Sequence, residues 1–69
     1  MATLIGYDIT DADKDGNQIT PQPVYFDSET NQITCEAREY YFDIAEGEMY
    51  ESVDEFVEQA TKQGWFKKK

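Results

Sequence analysis

The sequence predicts an α+β domain: an antiparallel β-meander of three to four strands with one C-terminal α-helix packed on one face. Three observations carry that prediction. Up to Ile44 the apolar residues follow a period of two, interrupted by clusters of turn-forming residues. From Ser52 onward they follow helical spacing instead. The chain has 69 residues, enough for a single domain that buries about 60% of the surface its unfolded form exposes, which leaves a thin core without room for a deep enzyme pocket.

Thr3 to Thr10 reads as the first strand, with Ile5, Tyr7 and Ile9 on one face and Leu4, Gly6, Asp8 and Thr10 on the other. The segment from Asp11 to Asn17 is turn chemistry, with Asp15-Gly16 supplying a positive-φ position. A second strand around Gln18 to Phe26 is interrupted by Pro21 and Pro23. Because proline lacks the ladder N–H, this strand is expected at an edge, or entered only at Val24. Asp27 to Asn31 forms the next turn, and Gln32 to Ala37 the next strand, with Ile33, Cys35 and Ala37 on one face. Phe42 and Ile44 sit on the opposite parity, which requires a bulge or a turn near Arg38-Glu39. A bulged continuation ending at Ile44 is the expected solution, followed by a turn over Ala45 to Glu48.

The helix is the most legible element. Ser52 is an N-cap, and Glu55 three residues later completes a capping box. Val53, Phe56, Val57 and Ala60 form one apolar stripe, and Gly64 is placed to end the helix. The expected span is Ser52 to Lys62, with Trp65-Phe66 folding back onto the core. The whole chain, 1–69, forms a single small acidic domain, with Lys67-Lys68-Lys69 as a basic tail.

Charge is split by position. All 15 acidic residues lie at or before Glu58, and residues 1–60 set them against Lys14 and Arg38 alone, a balance of −13. Residues 61–69 carry +4, which recovers the net −9. Such density on a small body costs stability through self-repulsion and is expected where a cationic partner or solubility demands it. The composition, 39% hydrophobic and 14% aromatic, is too rich for a disordered acidic tail. Anionic ligands such as nucleic acid or an acidic membrane surface are disfavoured, since phosphate contacts want Lys or Arg. One cysteine permits no intrachain disulfide, and Met1 to Tyr7 lacks the basic n-region and apolar run of a signal peptide. A cytoplasmic setting is therefore expected.

Catalytic motifs are missing. With no His and one Cys, a Cys–His nucleophile pair, histidine-containing zinc sites and a four-Cys site are excluded. Cys35 shares the parity of Ile33 and Ala37 and is expected to be a buried small hydrophobe. No enzymatic activity and no cofactor are expected. Asp11-Ala12-Asp13-Lys14-Asp15-Gly16 matches the first half of a calcium loop, where carboxylates at positions one, three and five converge on one ion. The resemblance to the EF-hand stops at those six residues. Position twelve is Gln22 where the family has a bidentate Glu, position eight is Gln18, and no amphipathic helix flanks the loop. Asp11, Asp13 and Asp15 are left as weak calcium candidates, expected to bind no better than about millimolar.

The remaining acids are not explained by local structure. Asp54 and Glu55 complement the helix dipole, but Glu29, Glu36, Glu39, Asp43, Glu46, Glu48 and Glu51 occupy strands and turns. Tyr25, Tyr40, Tyr41 and Tyr50 are interleaved with them, at least two of these expected at the core or its edge. Carboxylates that steer and rings that supply rigid contact area suit docking onto a basic protein surface. The candidate partner-binding residues are Glu36, Glu39, Tyr41 and Asp43, then Glu46, Glu48, Tyr50 and Glu51, then Asp54 and Glu58 of the helix.

In size, charge and want of catalytic chemistry, the chain is similar to the small acidic inhibitor proteins, often bacteriophage-encoded, that imitate the charge of DNA. That group includes anti-CRISPR and anti-restriction proteins. The likeness implies an inhibitor that occupies the basic channel of a nucleic-acid-binding host enzyme with a DNA-mimicking carboxylate surface. The +4 segment departs from a pure mimic. An acidic interaction or accessory domain without mimicry is the alternative, and a calcium-responsive module a third.

Overall fold

In a computed structural model of the chain, which describes residues 1–10 and 20–69, the alternating segments form a five-stranded antiparallel sheet. The strands are β1 (Ala2–Asp8), β2 (Gln22–Asp27), β3 (Gln32–Cys35), β4 (Tyr40–Asp43) and β5 (Phe66–Lys68), with one helix, α1 (Val53–Gln63), between β4 and β5. Their order across the sheet is β4-β3-β2-β1-β5. The α+β meander with a C-terminal helix is thus the observed architecture, with one strand more than expected. The candidate calcium ligands Asp11, Asp13 and Asp15 lie outside the described residues. Among the described residues no helix is long and apolar enough to cross a membrane.

The helix starts and stops where its sequence signals stand. The Ser52 hydroxyl accepts from the Glu55 amide at 3.1 Å. The reciprocal half of the box is displaced by one residue, since the Glu55 carboxylate accepts from the Glu51 amide, at 3.2 Å, rather than from that of Ser52. At the far end Gly64 takes φ 89° and donates to the carbonyls of Ala60 and Thr61. The stripe buries Phe56 and Ala60 completely, with Val57 packed beside them, against Val24, Ile33 and Cys35 of the sheet. Phe56 is the hub, its ring 5.0–5.8 Å from those of Phe42, Tyr50, Trp65 and Phe66. Full burial of one such side chain is worth about 1.5–3 kcal/mol, and each well-oriented ring pair about 0.5–1.5 kcal/mol more.

Four features differ from expectation, each for a physical reason. The first strand carries a bulge at Ile5: Leu4 pairs with Tyr25 but Gly6 pairs with Val24. Leu4 and Gly6 share parity yet lie on opposite faces, and Ile5 packs on the core. Strand β2, despite Pro23, is the central strand, and Pro21 lies just before it. It tolerates Pro23 because β3 pairs only with Tyr25, Phe26 and Asp27 and leaves into a 3-10 turn at Glu36, so Pro23 has a strand on one side only. The phase break at Arg38-Glu39 is a turn, not a bulge. Glu36–Arg38 form one 3-10 turn, Glu39 takes φ 56°, and β4 returns antiparallel to β3, so Phe42 comes to face the core.

The basic tail is the fourth. Lys67 and Lys68 belong to β5, paired with Tyr7 and Gly6, and the pairing is extended by Ile9 N–H to the Trp65 carbonyl (2.8 Å) and Lys69 N–H to the Ile5 carbonyl (3.2 Å). Phe66 lies buried as expected. It fits because Gly6 has no side chain: a methyl group there would collide with the Phe66 ring and the Lys67 carbonyl. The lysines charge the exposed edge of β5, which discourages pairing with a further strand.

Candidate partner-binding surface

The chain leaves β4 at the sheet edge and makes a tight loop before α1. Ile44 N–H donates to the Asn31 carbonyl (2.9 Å), and the Asn31 side-chain amide donates to the Ile44 carbonyl. A parallel bridge between Ile44 and Tyr50 closes the neck. Glu48 N–H then donates to the Ala45 carbonyl (3.1 Å), Gly47 takes φ 86°, and the Gly47 amide donates to the Glu51 carboxylate at 3.1 Å. The loop is therefore held at its base and presents Glu46, Glu48 and Met49 to solvent. Met49 is 70% exposed, an apolar contact among acids that the sequence reading missed because an isolated Met carries no periodic signal.

Nine of the ten candidate contact residues are available to a partner. Glu36, Glu39, Asp43, Glu46, Glu48, Glu51, Asp54 and Glu58 are exposed, as is Tyr41 at 62%. Tyr50 is the correction. It is 5% exposed, its ring edge-on to Phe42 (5.3 Å) and Phe56 (5.0 Å), so it braces the core and leaves the contact set. Tyr40 and Tyr50 are thus the core tyrosines, and Tyr25 and Tyr41 the exposed ones.

Two regions of the acidic surface differ in compensation. Asp54 and Glu58 line an open groove of about 580 Å³ between α1 and β5, with Val57, Thr61, Lys62 and Lys68 as the other lining residues. Two lysines therefore share the groove with those carboxylates. From Glu36 through Glu51 the sequence offers one cation, Arg38. Its side chain is only 16% exposed and turns inward, with Nε 3.6 Å from an Asp8 carboxylate oxygen. Among the described residues the surface acids of this stretch have no ion-pair partner.

The inward turn of Arg38 builds a polar node within the core. Asp8, 2% exposed, accepts from the Thr10 amide (2.9 Å) and hydroxyl (2.6 Å) through one oxygen and from the Tyr40 hydroxyl (2.9 Å) through the other. Burial pushes the Asp8 carboxyl up, but the Thr10 and Tyr40 hydrogen bonds and the Arg38 charge together outweigh it and hold it below the usual carboxylate range. The Tyr40 hydroxyl is pushed far up, first by burial and then by its bond to the Asp8 anion. This node ties β4 to β1, strands that are not neighbours in the sheet. Arg38 Nε and Nη2 are buried without a hydrogen-bond partner among the described residues, so its attachment to Asp8 is charge attraction rather than a directed bond. Cys35 is fully buried on the same side, in the role expected of it.

Among the described residues no three acidic or thiol side chains are grouped closely enough to hold a metal ion. No protein-family model matches the chain, and neither a curated protein nor a solved structure was found similar to it.

Proposed function

We propose that this chain acts by binding rather than catalysis: it docks its carboxylate surface on a cationic protein surface, as an inhibitor of a nucleic-acid-binding host enzyme. This is the role implied by its likeness in composition to phage-encoded acidic inhibitors, the anti-CRISPR and anti-restriction proteins among them. The observation that supports it most is the inward turn of Arg38. A stretch with Glu36, Glu39, Asp43, Glu46, Glu48 and Glu51 has one cation, and the fold removes that cation from the surface. Like charges left unneutralised destabilise a small fold, and a basic partner relieves that cost on binding.

The test is to capture the partner from host lysate, elute it with salt, and measure its binding to the wild type and to the variant with Glu46, Glu48, Glu51 and Glu58 all changed to Lys. The expected result is loss of binding with the fold intact, while single reversals do little, because each exposed pair is worth about 0–1 kcal/mol. DNA or RNA should compete for the same partner, and binding should fall steeply with salt. Binding that survives the quadruple reversal overturns the reading. Binding that is abolished by the reversal but proceeds alongside bound nucleic acid supports an acidic interaction or accessory module without mimicry, the reading that the exposed Met49 favours.

A further inference from the structure

The tripeptide Tyr-Phe-Asp occurs twice, as Tyr25-Phe26-Asp27 in β2 and Tyr41-Phe42-Asp43 in β4. The sheet sets the two copies in identical register against the strand between them. Tyr25 and Tyr41 both pair with Thr34, Phe26 and Phe42 both with Ile33, and Asp27 and Asp43 both with Gln32. Since β2 and β4 are each antiparallel to β3, they run parallel to each other, so one copy is a translation of the other. Neighbouring strands stand about 4.8 Å apart, which separates the copies by roughly 10 Å. Within each copy the tyrosine and the aspartate project from the same face, roughly 7 Å apart along the strand.

That face is the one α1 leaves open. Phe26 and Phe42 pack into the core beneath the helix, whereas Tyr25 is 38% and Tyr41 62% exposed. Leu4, paired with Tyr25, continues the tyrosine row into β1. The aspartates beside it have drawn donors of their own. Asp43 accepts from the Gln32 side-chain amide at 2.8 Å, and Asp27 lies 3.6 Å from the α-ammonium of Met1. A guanidinium group at Asp27 would displace that ammonium, since the same oxygen also accepts from the Glu29 amide at 2.8 Å.

We propose that this open face is a docking surface for an arginine-bearing protein segment. Its two Tyr-x-Asp units each take one guanidinium group, which stacks on the ring and pairs with the carboxylate two residues on. The partner must therefore present two arginines roughly 10 Å apart on one side. The assignment rests on the reading above that the partner is cationic, and adds to the loop and helix acids a second contact region, on the sheet face opposite α1, with its own spacing. Planar guanidinium suits the arrangement better than ammonium because it stacks on a ring and offers donors at its edge at once.

The probe is a synthetic proline-rich peptide with arginines at positions i and i+3. A polyproline II helix has three residues per turn and a rise of about 3.1 Å, placing those side chains on one side roughly 9 Å apart. Titrated into the intact ¹⁵N-labelled protein, it should move the amide signals of Leu4, Tyr25, Thr34 and Tyr41. The Tyr25→Ala/Tyr41→Ala double variant should weaken binding about tenfold, because it removes both rings on which the guanidinium groups stack. Asp43→Asn should weaken it about threefold, Tyr41→Phe should retain it, and a peptide with its arginines adjacent should bind less well. Thermal midpoints near wild type confirm that the variants fold. The inference is overturned by signals that move only in the 45–51 loop and α1, by unchanged affinity in the double variant, by tighter binding of a single-stranded oligonucleotide to the same tyrosines, or by self-association that buries the row. None of these variants shares a residue with the quadruple reversal. That reading fails if the reversal leaves the captured partner bound, and this one fails if the tyrosine variant leaves the peptide bound.

Discussion

On the helix-covered face Phe26, Ile33 and Phe42 form one cross-strand row; one residue back along β2 and β4, Tyr25, Thr34 and Tyr41 form the next, facing solvent. The two rows share a backbone and a register, and a slip of one residue would exchange them. They differ in what holds each side chain. The covered row is enclosed by Phe56 and its ring of aromatic neighbours, so its residues are determined by shape. The open row is enclosed by nothing described, and its two rings stand 38% and 62% exposed. Residues of the covered face should therefore be costly to change and silent in binding, and those of the open face the reverse.

The largest expected effect breaks the covered face at its hub. Phe56→Ala removes a fully buried ring that meets four others, and should cost about 3–5 kcal/mol, a large part of the stability available to a domain this small. Urea or thermal unfolding followed by circular dichroism measures it. A midpoint within a degree or two of wild type would remove the helix-to-sheet core from consideration.

Sequence legibility followed the same division. The helix was legible to within a residue because Ser52, Glu55 and Gly64 act locally, through backbone groups within one turn. The turn after β2 was legible for the same reason, with the Asp27 carboxylate accepting from the Glu29 amide at 2.8 Å. What escaped was set by distant partners. The bulge at Ile5 has no local mark, and the residue it brings to the core, Gly6, lies against Phe66 from the far end of the chain. The three lysines after Phe66 look like a tail until β1 pairs with them. Tyr41 and Tyr50 were given the same role on composition, and burial separates them. The repeat of Tyr-Phe-Asp acquires meaning only once β3 is known to align both copies.

The second effect in size concerns the polar exception within the covered side. Asp8→Asn removes the anion that faces the nearly buried Arg38 and receives the Tyr40 hydroxyl. It should cost about 2–3 kcal/mol, since a buried cation loses its counter-charge. The sign with pH follows from the direction of the shift. The Asp8 carboxyl is held below its ordinary value of 3.8, so its contribution is fully present above that value and is lost as pH falls through the lower, folded value. Wild type and variant should thus differ by a constant amount from about pH 5 to 8 and converge in acid. A difference that instead grows as the pH falls would show that Asp8 is not ionised in the folded state.

The finest comparison lies within one dipeptide. Tyr40 and Tyr41 are adjacent in β4, so their rings leave opposite faces of the sheet. Tyr40 packs against Phe42 and Trp65 and donates its hydroxyl to Asp8, whereas Tyr41 stands 62% exposed. Tyr40→Phe keeps the ring and removes one hydrogen bond to a buried anion, for an expected cost of about 1–2 kcal/mol. Tyr41→Ala removes an entire ring and should change stability by no more than about 0.5 kcal/mol, because its atoms leave little in the core. Deleting one oxygen should therefore destabilise the protein more than deleting a whole phenol next to it. Alkaline titration of tyrosine absorbance sharpens the same contrast: burial and the Asp8 anion raise the Tyr40 hydroxyl, so Tyr40→Phe should remove a tyrosine that ionises well above the ordinary range. Should Tyr41→Ala prove as costly as Tyr40→Phe, the open row would be part of the structural core, and its exposed rings would need no partner to explain them.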